Sequence, residues 1–174
     1  EASRRVGYGM YSFRLGGLLF RETFDVEPPA PWEWIRESPR NHRIDQGLRI
    51  RLEPGGLMGG GKDAKNILVR PLPQEARSVC VAVETQHETQ YEQAGLLLYR
   101  DDDNYIKLVR EHVDGTTWVV LVVEVDARAR VLAKVDLPPG EKTWLGLDLT
   151  EAGPVAVAWG STGEVIKIGD VPFP

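Results

Sequence analysis

Residues Tyr91–Gly115 read YEQAGLLLYRDDDNYIKLVREHVDG. Two apolar-rich arms flank an acidic triplet, which is the signature of a β-hairpin. In a hairpin the register assigns every side chain to a face, and a slip of one residue inverts the assignment. A three-residue turn at Asp101–Asp103 sets Arg100 opposite Asn104 and Tyr99 opposite Tyr105. Ala94, Leu96, Leu98, Ile106 and Leu108 then share one face. Gln93, Gly95, Leu97, Tyr99, Tyr105, Lys107, Val109 and Glu111 share the other, with Gln93 directly across from Glu111. A two- or four-residue turn would mix Lys107 and Glu111 into the apolar set. The three-residue register is therefore the expectation.

Outward from the hairpin the pattern stays all-β. Helical periodicity is nearly absent, and short apolar runs are cut by turn signals such as EPPAP, EPGG, RPLPQ, VDGT, LPPGEK, EAGP and STGE. Strands are expected at Ser12–Leu15, Leu18–Phe24, Trp32–Arg36, Leu48–Glu53, Asn66–Arg70, Ser78–Thr85, Gln93–Tyr99, Tyr105–Glu111, Trp118–Val125, Val131–Leu137, Thr143–Leu149, Val155–Trp159 and Val165–Val171. Some thirteen strands without a helix imply two packed antiparallel sheets. WVVLVVEV, residues 118–125, is almost continuously apolar, as expected of a strand covered on both faces or of a central strand in a sandwich. Residues 1–10 lack hydrophobic periodicity and read as a tag or linker remnant. Residues 11–174 read as one domain.

The chain has 174 residues, 42% hydrophobic and 27% charged, with a formal net charge of −5. That balance argues against a nucleic-acid partner. No run approaches the roughly 20 apolar residues of a membrane span, so no membrane partner is expected. The single cysteine, Cys80, excludes an internal disulfide. In the apolar run VCVAV it reads as an inert buried thiol, compatible with a cytoplasmic location. Oligomeric state leaves no trace in the sequence.

The polar face of the hairpin groups an amide, an ammonium and a carboxylate with the rings of Tyr99 and Tyr105. Rings beside planar hydrogen-bonding groups suit a sugar, which stacks by its apolar face and bonds sideways through its hydroxyls. A solvated sheet face where Lys107 and Glu111 merely pair with neighbours is the plainer alternative. The loop Gly55–Lys65 carries five glycines in eleven residues. It lacks the Gly-Lys-Ser/Thr ending and the following helix of a phosphate loop, and so reads as a mobile connection.

These residues resemble two related families. YEQAGLLLYRDDDNYIKL and EHVDG resemble the central motif of domain-of-unknown-function family 1349. WEWIRE, GLRIRL and NILVR are similar to the carboxy-terminal β-sandwich of glycoside hydrolase family 43 β-xylosidases. Both resemblances imply an all-β, concanavalin A-like jelly-roll sandwich of two antiparallel sheets, with the hairpin's polar face on the concave sheet where relatives of the fold bind sugars. The candidate ligand-binding residues are Trp34, Arg36, Glu37, Tyr91, Gln93, Tyr99, Tyr105, Lys107 and Glu111. Trp34 and Arg36 would line one end of the groove if they share a strand face; burial of Trp34 with Arg36 paired to a carboxylate is the alternative.

Retaining glucanases of this fold place alternate carboxylates on one strand. The nearest counterpart here, Glu124-Val125-Asp126-Ala127-Arg128, ends in arginine, so no catalytic residue is expected and Glu124 reads as part of a solvated strand end. His42, His87 and His112 lack the spacing of a zinc motif. Lectins of the fold often use calcium, which Asp101–Asp103 could hold, although the full loop pattern is missing. The reading is a non-catalytic carbohydrate-interacting module without a cofactor. The alternatives are a glycosidase using Glu111, or a structural domain with no small-molecule ligand.

Overall fold

The structure, a computed structural model, describes residues 17–137 and 142–172. The expected strand Ser12–Leu15 and the expected tag or linker at residues 1–10 lie outside the described residues. Twelve strands appear among those described: β1 (Glu33–Ile35), β2 (His42–Ile44), β3 (Leu48–Ile50), β4 (Ile67–Val69), β5 (Ser78–Val83), β6 (Gln93–Asp101), β7 (Asn104–Val113), β8 (Thr116–Val125), β9 (Arg128–Asp136), β10 (Thr143–Thr150), β11 (Gly153–Trp159) and β12 (Ile166–Asp170). They form two antiparallel four-stranded sheets, ordered β12-β11-β10-β5 and β6-β7-β8-β9, with two short ribbons, β1-β4 and β2-β3. No helix among the described residues is long and apolar enough to cross a membrane.

The period-2 pattern builds the core. Leu108, Val119, Leu121 and Val123 from one sheet meet Leu145, Leu147, Ala156, Ala158 and Ile168 from the other, with Leu96, Leu98 and Ile106 packed against them. These are the hairpin residues assigned inward, so burial of apolar area fixes the register. The expected pairs Gln93↔Glu111 and Tyr99↔Tyr105 are present. The turn itself is tighter than expected. Asp101, not Arg100, opposes Asn104, and Arg100 is left as a bulge. One extra residue in one arm lets a shorter turn keep the three-residue frame.

Two turns follow from local chemistry. Asp114 and Gly115 both adopt positive φ, 52° and 77°, as do Asp126 and Ala127 at 50° and 59°. Two successive left-handed residues match the right-handed twist of hairpin arms, which makes β7, β8 and β9 a tight meander.

Three expectations are corrected. Leu18–Phe24 is not a strand: it pairs with no neighbour, and Phe20 and Phe24 instead gather on Trp32, with the Arg70 guanidinium 3.8 Å over the Phe20 ring. The missed strand is β2, which pairs with β3 around a turn where Gln46 and Gly47 take positive φ. Cys80 is exposed rather than buried. β5 is an edge strand whose alternation turns Val79, Val81 and Val83 inward and Cys80 out. Partial desolvation of the sulfur still pushes the thiol above its ordinary value.

Candidate functional site

Strand pairing lays out the outer face of the β6–β9 sheet, the face turned away from the core, as a grid. One row reads Gln93, Glu111, Trp118 and Asp136. The next reads Gly95, Val109, Val120 and Lys134, then Leu97, Lys107, Val122 and Val131, and last Tyr99, Tyr105, Glu124 and Ala129. Val109, Val120 and Val122 form a second, smaller apolar cluster there, with Trp118 and Ala129 packed against it. Both faces of β8 are therefore covered, as its continuous apolar run implied.

Gln93, Lys107 and Glu111 converge on this face. The Lys107 ammonium donates to Gln93 Oε1 at 2.7 Å, and Gln93 Nε2 donates to Glu111 Oε1 at 3.1 Å. The amide thus bridges a cation and an anion. Lys107 is only 7% exposed. Burial pushes its ammonium below the ordinary lysine value, while Glu111 and Glu124 pull it back. Open surface borders Gln93, Lys107 and Glu111, while Val109 and Val120 beneath them are only 4% and 3% exposed. Lys107 and Glu111 each make a side-chain hydrogen bond with Gln93, above an apolar floor. Beyond Glu111, the Lys134 ammonium sits 4.3 Å over the Trp118 ring.

The far end of the face is closed by its own chain. Glu124, 1% exposed, accepts hydrogen bonds from the Tyr105 hydroxyl at 2.6 Å and from the backbone N–H groups of Gly59 and Gly60 at 3.0 and 3.2 Å. It is a buried anchor, not a solvated strand end. The glycine-rich loop is correspondingly pinned rather than a free connection. Gly59 and Gly60 take positive φ, 68° and 87°, which aims successive N–H groups at one carboxylate in an anion nest. Lys62 adds an ion pair to Asp103 at 2.8 Å, and Leu57 is buried. The loop does hold an anion, and the anion belongs to the same chain. Sequence reasoning missed Glu124; its only signal was a carboxylate alternating with valines inside an otherwise apolar strand.

The remaining candidates are dispersed around this grid. Tyr105 lies on the face but is 4% exposed, its phenol pushed up by burial and by Glu124. Tyr99 donates to Asp102 at 2.8 Å, and burial followed by that bond pushes its phenol up to about 12. Arg36, at φ 52°, lies just past β1 and does not share a strand face with Trp34. Its guanidinium makes two bonds to Asp102, and its Nε donates to the Ala64 carbonyl at 2.6 Å. The Trp34 ring stacks on His42 at 4.3 Å and 20°, and Glu37 meets His42 Nε2 at 2.9 Å. Tyr91 is 63% exposed and takes φ 68° at the entrance to β6. Trp34, Arg36 and Glu37 thus serve the β1–β4 and β2–β3 ribbons and their tie to the hairpin tip. Asp102 is bonded to Arg36 and Tyr99, Asp103 to Lys62, and Asp101 to the Asn104 side chain at 2.8 Å. Among the described residues, no group of three or more His, Cys, Asp or Glu is arranged to hold a metal ion.

Two twisted antiparallel sheets around one core, one carrying a mixed polar and apolar outer face, define a β-sandwich of the concanavalin A-like class. The sequence profile for the beta xylosidase C-terminal concanavalin A-like domain matches residues 21–170, and the chain belongs to that family. Among solved structures, the GH43 protein BlXynB from Bacillus licheniformis superposes with a TM-score of 0.77 at 17% identity, covering 90% of this chain and 32% of that one. A Bacteroides ovatus protein, "Xyloglucan PUL GH43B", gives a TM-score of 0.73 at 18% identity, covering 93% of this chain and 32% of its own. The chain therefore spans about a third of the length of these proteins. No curated protein matches it. The similarity of WEWIRE, GLRIRL and NILVR to the xylosidase carboxy-terminal sandwich is thereby borne out.

Proposed function

We propose that the chain is a non-catalytic carbohydrate-interacting module whose ligand lies across the outer face of the β6–β9 sheet. The observation that carries this reading is the Lys107–Gln93–Glu111 bridge, at 2.7 and 3.1 Å, beside the apolar floor of Val109 and Val120. A charged donor and a charged acceptor held by one amide suit a vicinal diol, since one hydroxyl accepts from Lys107 while its neighbour donates to Glu111. Tyr105 and Glu124 serve as positioning residues that hold β7 and β8 in place beneath it. The stretch that resembles family 1349 in sequence is this same hairpin. The family's link to β-xylosidases, and the xyloglucan named for the Bacteroides ovatus relative, make xylose-containing oligosaccharides the first probes.

Calorimetry against xylo-, xyloglucan- and gluco-oligosaccharides tests the reading. One of them should bind, and Lys107→Met and Glu111→Gln should each weaken it by about tenfold or more, the loss of a charge-assisted hydrogen bond. Unchanged affinity in both variants rejects the site. Hydrolysis of a bound oligosaccharide that Glu111→Gln abolishes would reject the non-catalytic reading.

A further inference from the structure

The site above uses one side of β7. On the opposite side, near the Val113 end, β7 carries Arg110 and His112. As alternate residues of a strand they project from the same side about 7 Å apart. Arg110 is 4% exposed, and its buried Nη1 has no hydrogen-bond partner. From the segment joining β5 to β6, His87 brings its ring within 6.3 Å of the His112 ring, at an interplanar angle of 46°. Both ring nitrogens of His87 are likewise inaccessible and without a partner. His112 Nδ1 has only a long contact, 3.4 Å, to Thr117 Oγ1.

A buried guanidinium and a half-buried imidazole, each with unspent nitrogens and drawn from different elements, call for an acceptor. The surrounding charges favour an anion over a cation. Burial holds His87 below its ordinary value, as do the positive fields of His112 and Arg110, against the opposing pull of Glu92. The Glu92 carboxylate is engaged elsewhere, accepting from the Glu88 and Thr89 N–H groups at 2.7 and 3.0 Å. Burial lowers Arg110 as well, offset in part by Asp136. His87 borders the open surface along the β5–β6 connection, with Arg110 and His112 set behind it.

We propose that Arg110, His87 and His112 form a binding site for a small oxyanion, a phosphate, sulfate or carboxylate group, separate from the outer-face site. The planar guanidinium presents donors to one side of such a group, and the two imidazoles present theirs to another. An oxyanion with several acceptor oxygens satisfies both sets at once.

The test is a histidine titration of the full chain by NMR, at constant ionic strength, in sodium chloride and then with phosphate, sulfate or acetate. Phosphate or sulfate should raise the His87 midpoint by about one pH unit, because a bound anion favours the imidazolium. His42, on the β2–β3 ribbon, should not respond. Arg110→Gln should abolish the rise. If that variant does not fold, His87→Gln should remove the phosphate-dependent increase in thermal midpoint that the unmodified chain shows. An equal response to acetate identifies a carboxylate as an acceptable source of the oxyanion. Identical His87 midpoints in chloride, phosphate and sulfate overturn the proposal. So does a shift that survives Arg110→Gln, or a thermal gain that survives His87→Gln.

Discussion

Arg36 and Asp102 meet in a two-point ion pair, with Nη1 to Oδ2 at 2.8 Å and Nη2 to Oδ1 at 2.9 Å, across a sequence separation of 66 residues. The pair ties the end of β1 to the tip of the β6–β7 hairpin. The fork geometry that makes it bidentate is available to arginine and not to lysine. Arg36→Lys and Asp102→Asn should each cost about 1 kcal/mol in chemical denaturation, a modest figure because both side chains remain partly exposed. The Arg36 guanidinium also holds Asp102 below the usual carboxylate range. A depressed carboxylate contributes stability that is fully present above its unfolded value and lost as pH falls through the folded one. Asp102→Asn should therefore flatten the loss of stability below about pH 4, and an unaltered acid slope would contradict this role.

Glu124 holds three donors in a buried site, so its replacement should be costlier. Glu124→Gln keeps one acceptor oxygen but turns an amide N–H towards a donor, and should cost about 2–4 kcal/mol. Tyr105→Phe leaves the carboxylate one donor short and should cost about 1–2 kcal/mol. Because the residues share one bond, the double variant should be less destabilised than the sum of the two. Additive losses in a denaturation cycle would show that the hydroxyl and carboxylate act independently.

Gly95 sits where the sheet has no room for a side chain. A Cβ there would lie 2.3 Å from the Leu108 carbonyl oxygen and 2.9 Å from Leu145 Cδ1. The backbone contact cannot relax by a rotamer change, so Gly95→Ala should cost about 3 kcal/mol or prevent folding. Thermal unfolding of the variant checks this. A midpoint within a degree or two of the parent would refute the close approach.

Two phenols should ionise late. Burial comes first for both, with Asp102 reinforcing it at Tyr99 and Glu124 at Tyr105. A phenol raised in the folded state contributes stability that is complete below its unfolded value of about 10 and is lost as pH rises through the folded one. Spectrophotometric titration should show a late phase, Tyr99 near pH 12 and Tyr105 above it. Tyr99→Phe and Tyr105→Phe should each remove one phenolate from that phase. Loss of signal from the early phase in either variant would contradict the assignment.

The hairpin was legible because only one register separates Ala94, Leu96, Leu98, Ile106 and Leu108 from Gln93, Lys107 and Glu111. Burial then enforces what alternation suggests, and the bulge at Arg100 absorbs the mismatch in turn length. The convergence of Gln93, Lys107 and Glu111 followed from the same register. Glu124 was not legible, since its Gly59 and Gly60 donors lie 65 and 64 residues away and no local period connects them. Pairing of Arg36 with a carboxylate was one of the two expectations, but its partner Asp102 was hidden for the same reason, being fixed by the packing of a ribbon against a hairpin tip. Leu18–Phe24 misled because an apolar run becomes a strand only when a neighbour completes its hydrogen bonds. Here aromatic packing on Trp32 takes that place.

The hairpin tips of this sandwich differ as places to attach something new. Exposed tips are the usual first choice for grafting a peptide or opening a circular permutant. At Asp102–Asp103, however, the tip receives Arg36, Tyr99 and Lys62, and the Asp103 carbonyl accepts from the Ala127 N–H at 3.1 Å. An insertion there would unfasten a ribbon, a loop and the neighbouring turn together. The Gly160–Gly163 turn between β11 and β12 closes on itself, Gly163 N–H to the Gly160 carbonyl at 3.1 Å, and takes part in none of those ties. It is the better port of entry for labels, linkers or fused domains.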